Sequence, residues 1–172
     1  SSKTNSRAWV EIDGERYFDN YNGSNRSYSK IHKVRIPMNI LDEKAHADYT
    51  DTGVWAAKAI KEAKRFGTVN VVSSSKADVY NHIPKDFKQT EGAAYLHVTS
   101  NNTIYGTQWK NFPEAATYLV ADMSSDILSR KIDVSKFGLI YAGAQKNMSC
   151  AGVTLAIIRK DILGKVERSI PT

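Results

Sequence analysis

Six short apolar runs, separated by polar and turn-forming segments, dominate the hydrophobic pattern of this chain. Val54 to Phe66 instead has the composition of a strong helix former, and Gly67 supplies a C-terminal stop. Strands that alternate with helical or loop crossovers predict an α/β domain with a mostly parallel sheet and flanking helices. The apolar runs predict strands near residues 47–51, 69–74, 94–99, 117–122, 138–143 and 152–158.

The first 35 residues follow a different pattern from the rest of the chain. Two short alternating runs, at 8–12 and 15–18, flank Asp13-Gly14, and this arrangement predicts a β-hairpin. A polar stretch rich in turn formers follows at 20–27 and indicates a loop or linker. We therefore predict that residues 1–35 form a separate N-terminal segment, unassigned in function, that precedes the α/β domain with a β-hairpin.

The positive net charge of +6 makes nucleic-acid binding an alternative function. The N-terminal segment interleaves basic and aromatic side chains, a composition that can bind a single strand. Acidic residues are interspersed among them and dilute the positive field, so we expect no nucleic-acid partner. The residues concerned are Arg7, Arg16, Arg26, Lys30, Lys33 and Arg35, with Trp9, Tyr17, Tyr21 and Tyr28.

The cysteine, histidine and hydropathy patterns narrow the possible compartment, metal content and membrane association of the protein. Cys150 is the only cysteine, so the chain cannot form an internal disulfide, and a reducing, cytoplasmic compartment is expected. No uncharged run approaches the ~20 residues that span a bilayer, and no signal sequence opens the chain, so no membrane partner is expected. The four histidines lack metal-ligand spacing, and no metal site is predicted.

Lys146 directly follows an uncharged run, Phe137 to Gln145, that predicts a buried strand ending in a turn. A lysine at the mouth of such a strand is partly desolvated, which favours its neutral amine and makes it a nucleophile toward carbonyls. This is the chemistry of a Schiff-base lysine. The alternative is an ordinary solvated lysine that closes a strand.

A second apolar run ends on Asp122, 24 residues before Lys146. If the two runs are consecutive strands of one sheet, both side chains lie at the edge where ligands of α/β sheets gather. Pyridoxal phosphate uses both groups, because a lysine holds its aldehyde and a carboxylate keeps its pyridine nitrogen protonated. For Asp122 alone, a helix N-cap or strand-end turn residue is the alternative.

From residue 36 onward, the chain resembles the phosphoserine aminotransferases, which are pyridoxal-phosphate enzymes of serine biosynthesis with the type I aminotransferase fold. The motifs around Asp122 and Lys146 carry the resemblance most specifically. The resembling segments are 36–41, 47–55, 60–64, 100–106, Ala121-Asp122-Met123-Ser124-Ser125 with 127–130, Tyr141-Ala142-Gly143-Ala144-Gln145-Lys146-Asn147, and 151–154.

The resemblance implies a role for each of five residues. Lys146 would be the Schiff-base lysine and the acid/base of transamination, and Asp122 would pair with the pyridinium nitrogen. Trp55 would stack on the cofactor ring, and Gln145 would contact the cofactor phosphate. Thr103 would hydrogen-bond near that ring or near its Asp122 partner. An aromatic residue at a helix start that faces a strand edge is also well placed to stack on a flat ligand.

The resemblance further implies amino transfer between phosphoserine and 2-oxoglutarate, giving 3-phosphohydroxypyruvate and glutamate, with small anionic amino-acid and keto-acid substrates and a homodimer. The family has a glycine-rich phosphate-binding turn where this chain has the bulkier, basic segment Ser27 to Arg35. Family members are also much longer. We therefore expect residues 36–172 to be part of the large pyridoxal-phosphate-binding domain, and an inactive fragment that keeps only the fold is the alternative.

Overall fold

The computed structural model describes residues 8–12, 15–19, 36–151 and 153–166. Strands β1 (Ala8–Ile12) and β2 (Glu15–Asp19) pair antiparallel, with Trp9 opposite Phe18. This pairing confirms the predicted N-terminal hairpin. Four features discussed from the sequence lie outside the described residues. They are the Asp-Gly turn of this hairpin, the linker at 20–27, the basic segment that replaces the glycine-rich turn, and the basic and aromatic side chains considered for nucleic-acid binding.

A six-stranded sheet forms the centre of the domain. Its order is β10-β9-β8-β5-β3-β4, and every neighbouring pair is parallel except β10 with β9. A separate two-stranded ribbon, β6 with β7, follows β5. The strands are β3 (His46–Asp51), β4 (Thr68–Ser74), β5 (Leu96–Thr99), β6 (Asn101–Asn102), β7 (Thr107–Gln108), β8 (Leu119–Asp122), β9 (Leu139–Gly143) and β10 (Thr154–Ile158).

Helix α1 comprises residues 36–40 within the described range, and helix α2 (Val54–Ala63) connects β3 to β4. The buried side of α2 is lined by small residues and one isoleucine, which lets the helix lie close to the sheet. Three short 3₁₀-helices, Lys76–Asp78, Val134–Lys136 and Lys160–Ile162, lie in the later connections.

The predicted helix is three residues longer than α2, which ends at Ala63. The following residues form a tighter turn, in which the N–H of Phe66 donates to the carbonyl of Ala63 at 2.9 Å. The chain then passes close to the α1–β3 loop, because a Cβ on Gly67 would lie 2.9 Å from the carbonyl oxygen of Asp42. A residue without a Cβ at position 67 permits this close passage.

Alternate residues of the central strands form two separate cores. The face that packs against α2 is rich in tyrosine, and the opposite face is almost entirely aliphatic and is covered by loop side chains such as Trp109 and Phe137. The α2 face includes Tyr49, Tyr95, Val120, Leu139 and Tyr141. The aliphatic face includes Leu96, Val98, Leu119, Ala121, Ile140 and Ala142.

The predicted α/β architecture with a mostly parallel sheet is confirmed, and all six predicted strands belong to the one sheet. Three strands, β5, β8 and β10, begin two residues later than predicted. The pairing of β3 with this part of the chain already begins before β5, since the N–H of Asp48 donates to the carbonyl of Tyr95 at 2.9 Å. The antiparallel β10 at one edge is the single exception to parallel order.

Candidate functional site

An open cleft lies at the carboxyl ends of β5, β8 and β9. This is the edge at which parallel α/β sheets bind ligands. All five residues predicted for the site from the sequence lie in its lining. The lining residues are Trp55, Thr99, Asn101, Thr103, Asp122, Ser124, Ser125, Gln145 and Lys146.

Strand register brings the cleft residues together. Thr99 at the end of β5 lies opposite Asp122 at the end of β8, and β8 is also paired with β9. The turn after β9 then carries Gln145 and Lys146 to the cleft, and the carbonyl of Ala144 closes this turn by accepting the N–H of Met148 at 3.1 Å. The neighbouring ends of parallel β8 and β9 therefore place Asp122 and Lys146, which are 24 residues apart in the chain, on one cleft.

Asp122 is a buried carboxylate with an ordered set of donors. Its Oδ1 accepts the backbone N–H of Ser124 at 3.0 Å and the Ser124 hydroxyl at 2.6 Å. Burial, together with the nearby negative charge of Asp122, raises the pKa of Tyr141 well above its usual value. Ser124 thus orients the Asp122 carboxylate at the cleft through two hydrogen bonds.

Lys146 lies on the cleft wall but is exposed, which differs from the partial desolvation expected from the sequence. The reason is geometric, because β9 ends at Gly143 and the following turn carries the lysine beyond the sheet edge. Its amine is accessible to a carbonyl compound in the cleft.

Trp55 is the second residue of α2 and is half-buried at the cleft. The Nζ of Lys58, one helical turn later, lies 4.4 Å from the centroid of the Trp55 ring and forms a cation–π contact. The helix start therefore presents an indole to the cleft, as the sequence predicted. Glycine suits position 53, directly before α2, because a Cβ there would lie 2.4 Å from Oδ1 of Asn102.

Thr103 belongs to the turn of the β6–β7 ribbon rather than to a strand of the sheet. The carbonyl of Asn102 accepts the N–H groups of Tyr105 at 3.2 Å and Gly106 at 2.8 Å, and these two bonds fix the turn. Gly106 has a φ of 72°, which glycine adopts without strain. The exposed Thr103 side chain therefore reaches the cleft from a rigid local turn.

Gln145 folds back over the end of β9. A Cβ on Gly143 would lie 2.6 Å from Oε1 of Gln145, so this side-chain position requires glycine at 143. The N–H of Gly143 donates to the Ser124 hydroxyl at 3.2 Å and links the two loops that follow β8 and β9. The Gln145 amide is thereby placed on the cleft wall.

Four lining residues were missed by the sequence analysis, and three of them had a usable signal. Thr99 ends a predicted strand, and Ser124 and Ser125 directly follow Asp122, so the strand-end argument applies equally to them. Thr99 is 3 % exposed, and its hydroxyl has no hydrogen-bond partner among the described residues. Asn101 had no such signal and is placed by its bond to the Ser125 hydroxyl at 3.1 Å.

The cleft suits a flat, polar, carbonyl-bearing ligand. It combines a buried carboxylate, an unpartnered buried hydroxyl, an aromatic ring and an accessible primary amine on Asp122, Thr99, Trp55 and Lys146. These groups match the pyridine nitrogen, ring substituents, π-face and aldehyde of pyridoxal phosphate. In the part of the chain that the structure describes, no group of three or more His, Cys, Asp or Glu side chains could hold a metal ion.

Comparisons of sequence point to one enzyme family. The family model of the class-V aminotransferases matches residues 24–171. A phosphoserine aminotransferase from Flavobacterium psychrophilum is 58% identical over 139 residues, which cover 81% of this chain and 39% of that protein. A phosphoserine aminotransferase from Desulfatibacillum aliphaticivorans is 60% identical over 139 residues, which cover 80% of this chain and 38% of that protein. This chain therefore spans about two fifths of the length of the curated relatives it matches.

Solved structures show the same likeness. A phosphoserine aminotransferase studied for radiation damage of its Schiff base is 49% identical with a TM-score of 0.79, and the match covers 83% of this chain and 41% of that one. A pyridoxal-phosphate-bound phosphoserine aminotransferase from Trichomonas vaginalis is 36% identical with a TM-score of 0.73, and the match covers 84% of this chain and 42% of that one.

Within the described residues, no helix is both long and apolar enough to cross a membrane.

Proposed function

This chain belongs to the class-V aminotransferase family, and from that premise we propose that its cleft binds pyridoxal 5′-phosphate. We further propose that the chain carries the cofactor-binding part of a phosphoserine aminotransferase. The observation that carries the proposal is the convergence of Asp122 and Lys146 on one cleft. The 58–60% identity to phosphoserine aminotransferases supports the substrate class.

When bound, pyridoxal phosphate supplies an aldehyde and an electron-withdrawing ring. Lys146 is the residue that captures the aldehyde, because it carries the one amine in the cleft lining. The same amine is placed to take up and return the substrate proton. Asp122 holds the ring nitrogen, since a buried carboxylate pairs most strongly with a protonated nitrogen.

The remaining cleft residues orient the ring and exclude water. Trp55 stacks on one face of the ring, and Thr103 hydrogen-bonds at its edge from the β6–β7 turn. Thr99 supplies a buried hydroxyl beside Asp122, which a ring substituent satisfies. Gln145 contacts the phosphate group from the turn after β9.

The proposed reaction is amino transfer between phosphoserine and 2-oxoglutarate, giving 3-phosphohydroxypyruvate and glutamate in serine biosynthesis. The substrates are small anionic amino acids and keto acids, and a net charge of +6 favours their approach. A homodimer, a cytoplasmic location and the absence of a nucleic-acid partner stay predictions. The competing proposal is a fragment that keeps the fold without turnover, since the chain spans about two fifths of its relatives.

The cofactor proposal is tested by titrating the purified chain with pyridoxal phosphate, followed by borohydride reduction and peptide mapping. We expect a visible absorbance band and a reduced adduct on Lys146. Lys146→Arg keeps the positive charge but removes the capturing amine, so both signals disappear. Lys136→Arg is the matched control, because Lys136 is also exposed but lies outside the cleft.

An absent band in a chain whose circular dichroism is intact would contradict the proposal and favour the fold-only alternative. Adducts spread over several lysines would contradict the assignment of Lys146. Asp122→Asn separates the two roles, since it keeps the capturing amine and removes the charge at the ring nitrogen. We expect this variant to retain the adduct and to lose the phosphoserine-dependent bleaching of the band; unchanged bleaching would contradict the role of Asp122.

A further inference from the structure

The hydroxyl of Ser124 links the two loops that carry the carboxylate and the capturing amine of the cleft. It donates a hydrogen bond to Oδ1 of Asp122 at 2.6 Å, and it accepts the N–H of Gly143 at 3.2 Å. Asp122 is the last residue of β8, and Gly143 is the last residue of β9, three positions before Lys146. One half-buried hydroxyl therefore bonds to the ends of both strands.

A second side-chain bond links the same two loops directly after Lys146. Nδ2 of Asn147 donates to the carbonyl oxygen of Ile127 at 2.6 Å. Ile127 lies in the loop that follows β8, and its own N–H donates to the carbonyl of Met123 at 2.9 Å. The turn that carries Lys146 is thus tied to the β8 loop both before and after the lysine.

We propose that Ser124 and Asn147 are positioning residues for the amine of Lys146, an inference that rests on the proposed function. Together they fix the separation between that amine and the Asp122 carboxylate. The pyridine nitrogen and the aldehyde of the cofactor lie on opposite sides of one rigid ring, so both ends are met at once only at one separation. Lys146 is exposed and has a flexible stem, so the backbone beneath it has to supply this position before the ligand arrives.

A second aspartate–serine turn in the chain provides the contrast. The N–H and the hydroxyl of Ser135 donate to Oδ1 of Asp133 at 3.1 and 2.6 Å. The N–H and the hydroxyl of Ser124 donate to Oδ1 of Asp122 at 3.0 and 2.6 Å. Ser135 is exposed and lies outside the cleft, however, whereas the Ser124 hydroxyl also accepts the N–H of Gly143. A purely local role of such turns predicts equal consequences at both serines.

The first test needs no cofactor and measures hydrogen exchange of the Gly143 N–H by NMR. Ser124→Ala removes the acceptor of this N–H but keeps the backbone N–H that holds Asp122. We expect exchange to become about tenfold faster, the loss that one intramolecular hydrogen bond brings. Ser124→Thr keeps the hydroxyl, and Ser135→Ala is the matched control, so both should exchange like the unmodified chain. Unchanged exchange in Ser124→Ala, or equal acceleration in Ser135→Ala, would overturn the proposal.

The second test compares pyridoxal phosphate with deoxypyridoxine phosphate, which has the same ring and phosphate but no aldehyde. Calorimetry gives the two dissociation constants for each variant. Ser124→Ala is expected to weaken pyridoxal phosphate about tenfold and the analogue less than about threefold, because only the aldehyde has to meet the amine while the ring is held. Ser135→Ala should change neither constant. Equal weakening of both compounds by Ser124→Ala would show an effect that does not involve Lys146 and overturn the proposal.

Asn147 provides the independent arm if Ser124→Ala does not fold. Asn147→Ala removes the bond to the Ile127 carbonyl and leaves the bonds to Asp122 in place, so it should weaken pyridoxal phosphate and leave the analogue unchanged. Ser149→Ala, an exposed change in the same turn, is the control and should alter neither constant.

Equal losses for the two compounds in Asn147→Ala, or the same selective loss in Ser149→Ala, would contradict the proposal. If the Gly143 N–H responds as expected but the unmodified chain binds neither compound, the proposed function fails while the link between the two loops stands.

Discussion

The two faces of the central sheet are built from alternate residues of the same strands, yet their chemistry differs. On β9, Ile140 lies on the aliphatic face, and its neighbour Tyr141 lies on the α2 face. On β5, Val98 lies on the aliphatic face, and His97 stacks on Tyr49 on the other. One face excludes water by packing alone, whereas the other also contains polar atoms that need partners.

The difference shows what each face contributes to the sheet. Aliphatic side chains stabilise the sheet without direction, because burial of apolar surface depends on area and not on orientation. Hydrogen bonds have direction, and on the α2 face they join His97 to Tyr141 and Tyr49 to Tyr95. These bonds form only when the strands carrying the four residues are in register.

Alkaline pH is expected to have the largest effect and to act mainly through the tyrosines of the α2 face. Burial raises the pKa of Tyr49, Tyr95 and Tyr141 well above 10, and it raises the pKa of Tyr80 to about 12 together with the charge of Asp51. The unfolded chain releases these protons near pH ~10, so stability is complete below that pH and is lost as pH rises further.

The measurement is tyrosinate absorbance recorded with circular dichroism against pH. Part of the absorbance change among the nine tyrosines should coincide with cooperative unfolding rather than precede it. A reversible ionisation of all nine in a chain that keeps its dichroism would contradict the buried, protonated state of this face.

Ile140→Ala is expected to have the next largest effect and to act through the aliphatic face. Ile140 is 1 % exposed, and truncation leaves a cavity that costs about 3 kcal/mol in the free energy of unfolding. Urea denaturation measures the loss. The matched control is Ile157→Ala, because Ile157 pairs with Ile140 in register but is 39 % exposed, and it should lose less than about 1 kcal/mol. Equal losses at the two positions would show that the aliphatic core is not closed.

The smallest effect is expected from Tyr95→Phe, at about 1–2 kcal/mol, because the Tyr49 hydroxyl loses its buried partner. The double variant Tyr49→Phe, Tyr95→Phe leaves no unsatisfied hydroxyl and should be less destabilised than the sum of the two single variants. Strict additivity in urea denaturation would mean that the two hydroxyls do not interact in solution.

Much of the fold is encoded in local patterns. Each predicted strand exists because apolar runs of four to seven residues between turn formers suit the strands of a sheet. The helix was found from composition, and its end was placed three residues too late because residues 64–66 form a tighter turn that composition does not distinguish from helix. The convergence of Asp122 and Lys146 followed from strand order, and their roles in binding stay predictions.

The sequence by itself determined which segments become strands, and that Asp122 ends one strand while Lys146 follows the next, because alternation, apolar run length and turn residues act between near neighbours. Only the tertiary structure decided that Lys146 is exposed, that Thr99 faces the cleft, and that His97 reaches Tyr141. The last contact joins residues 44 positions apart and depends on the register of three strands. Register is a property of the assembled sheet, since it is set by packing on both faces at once.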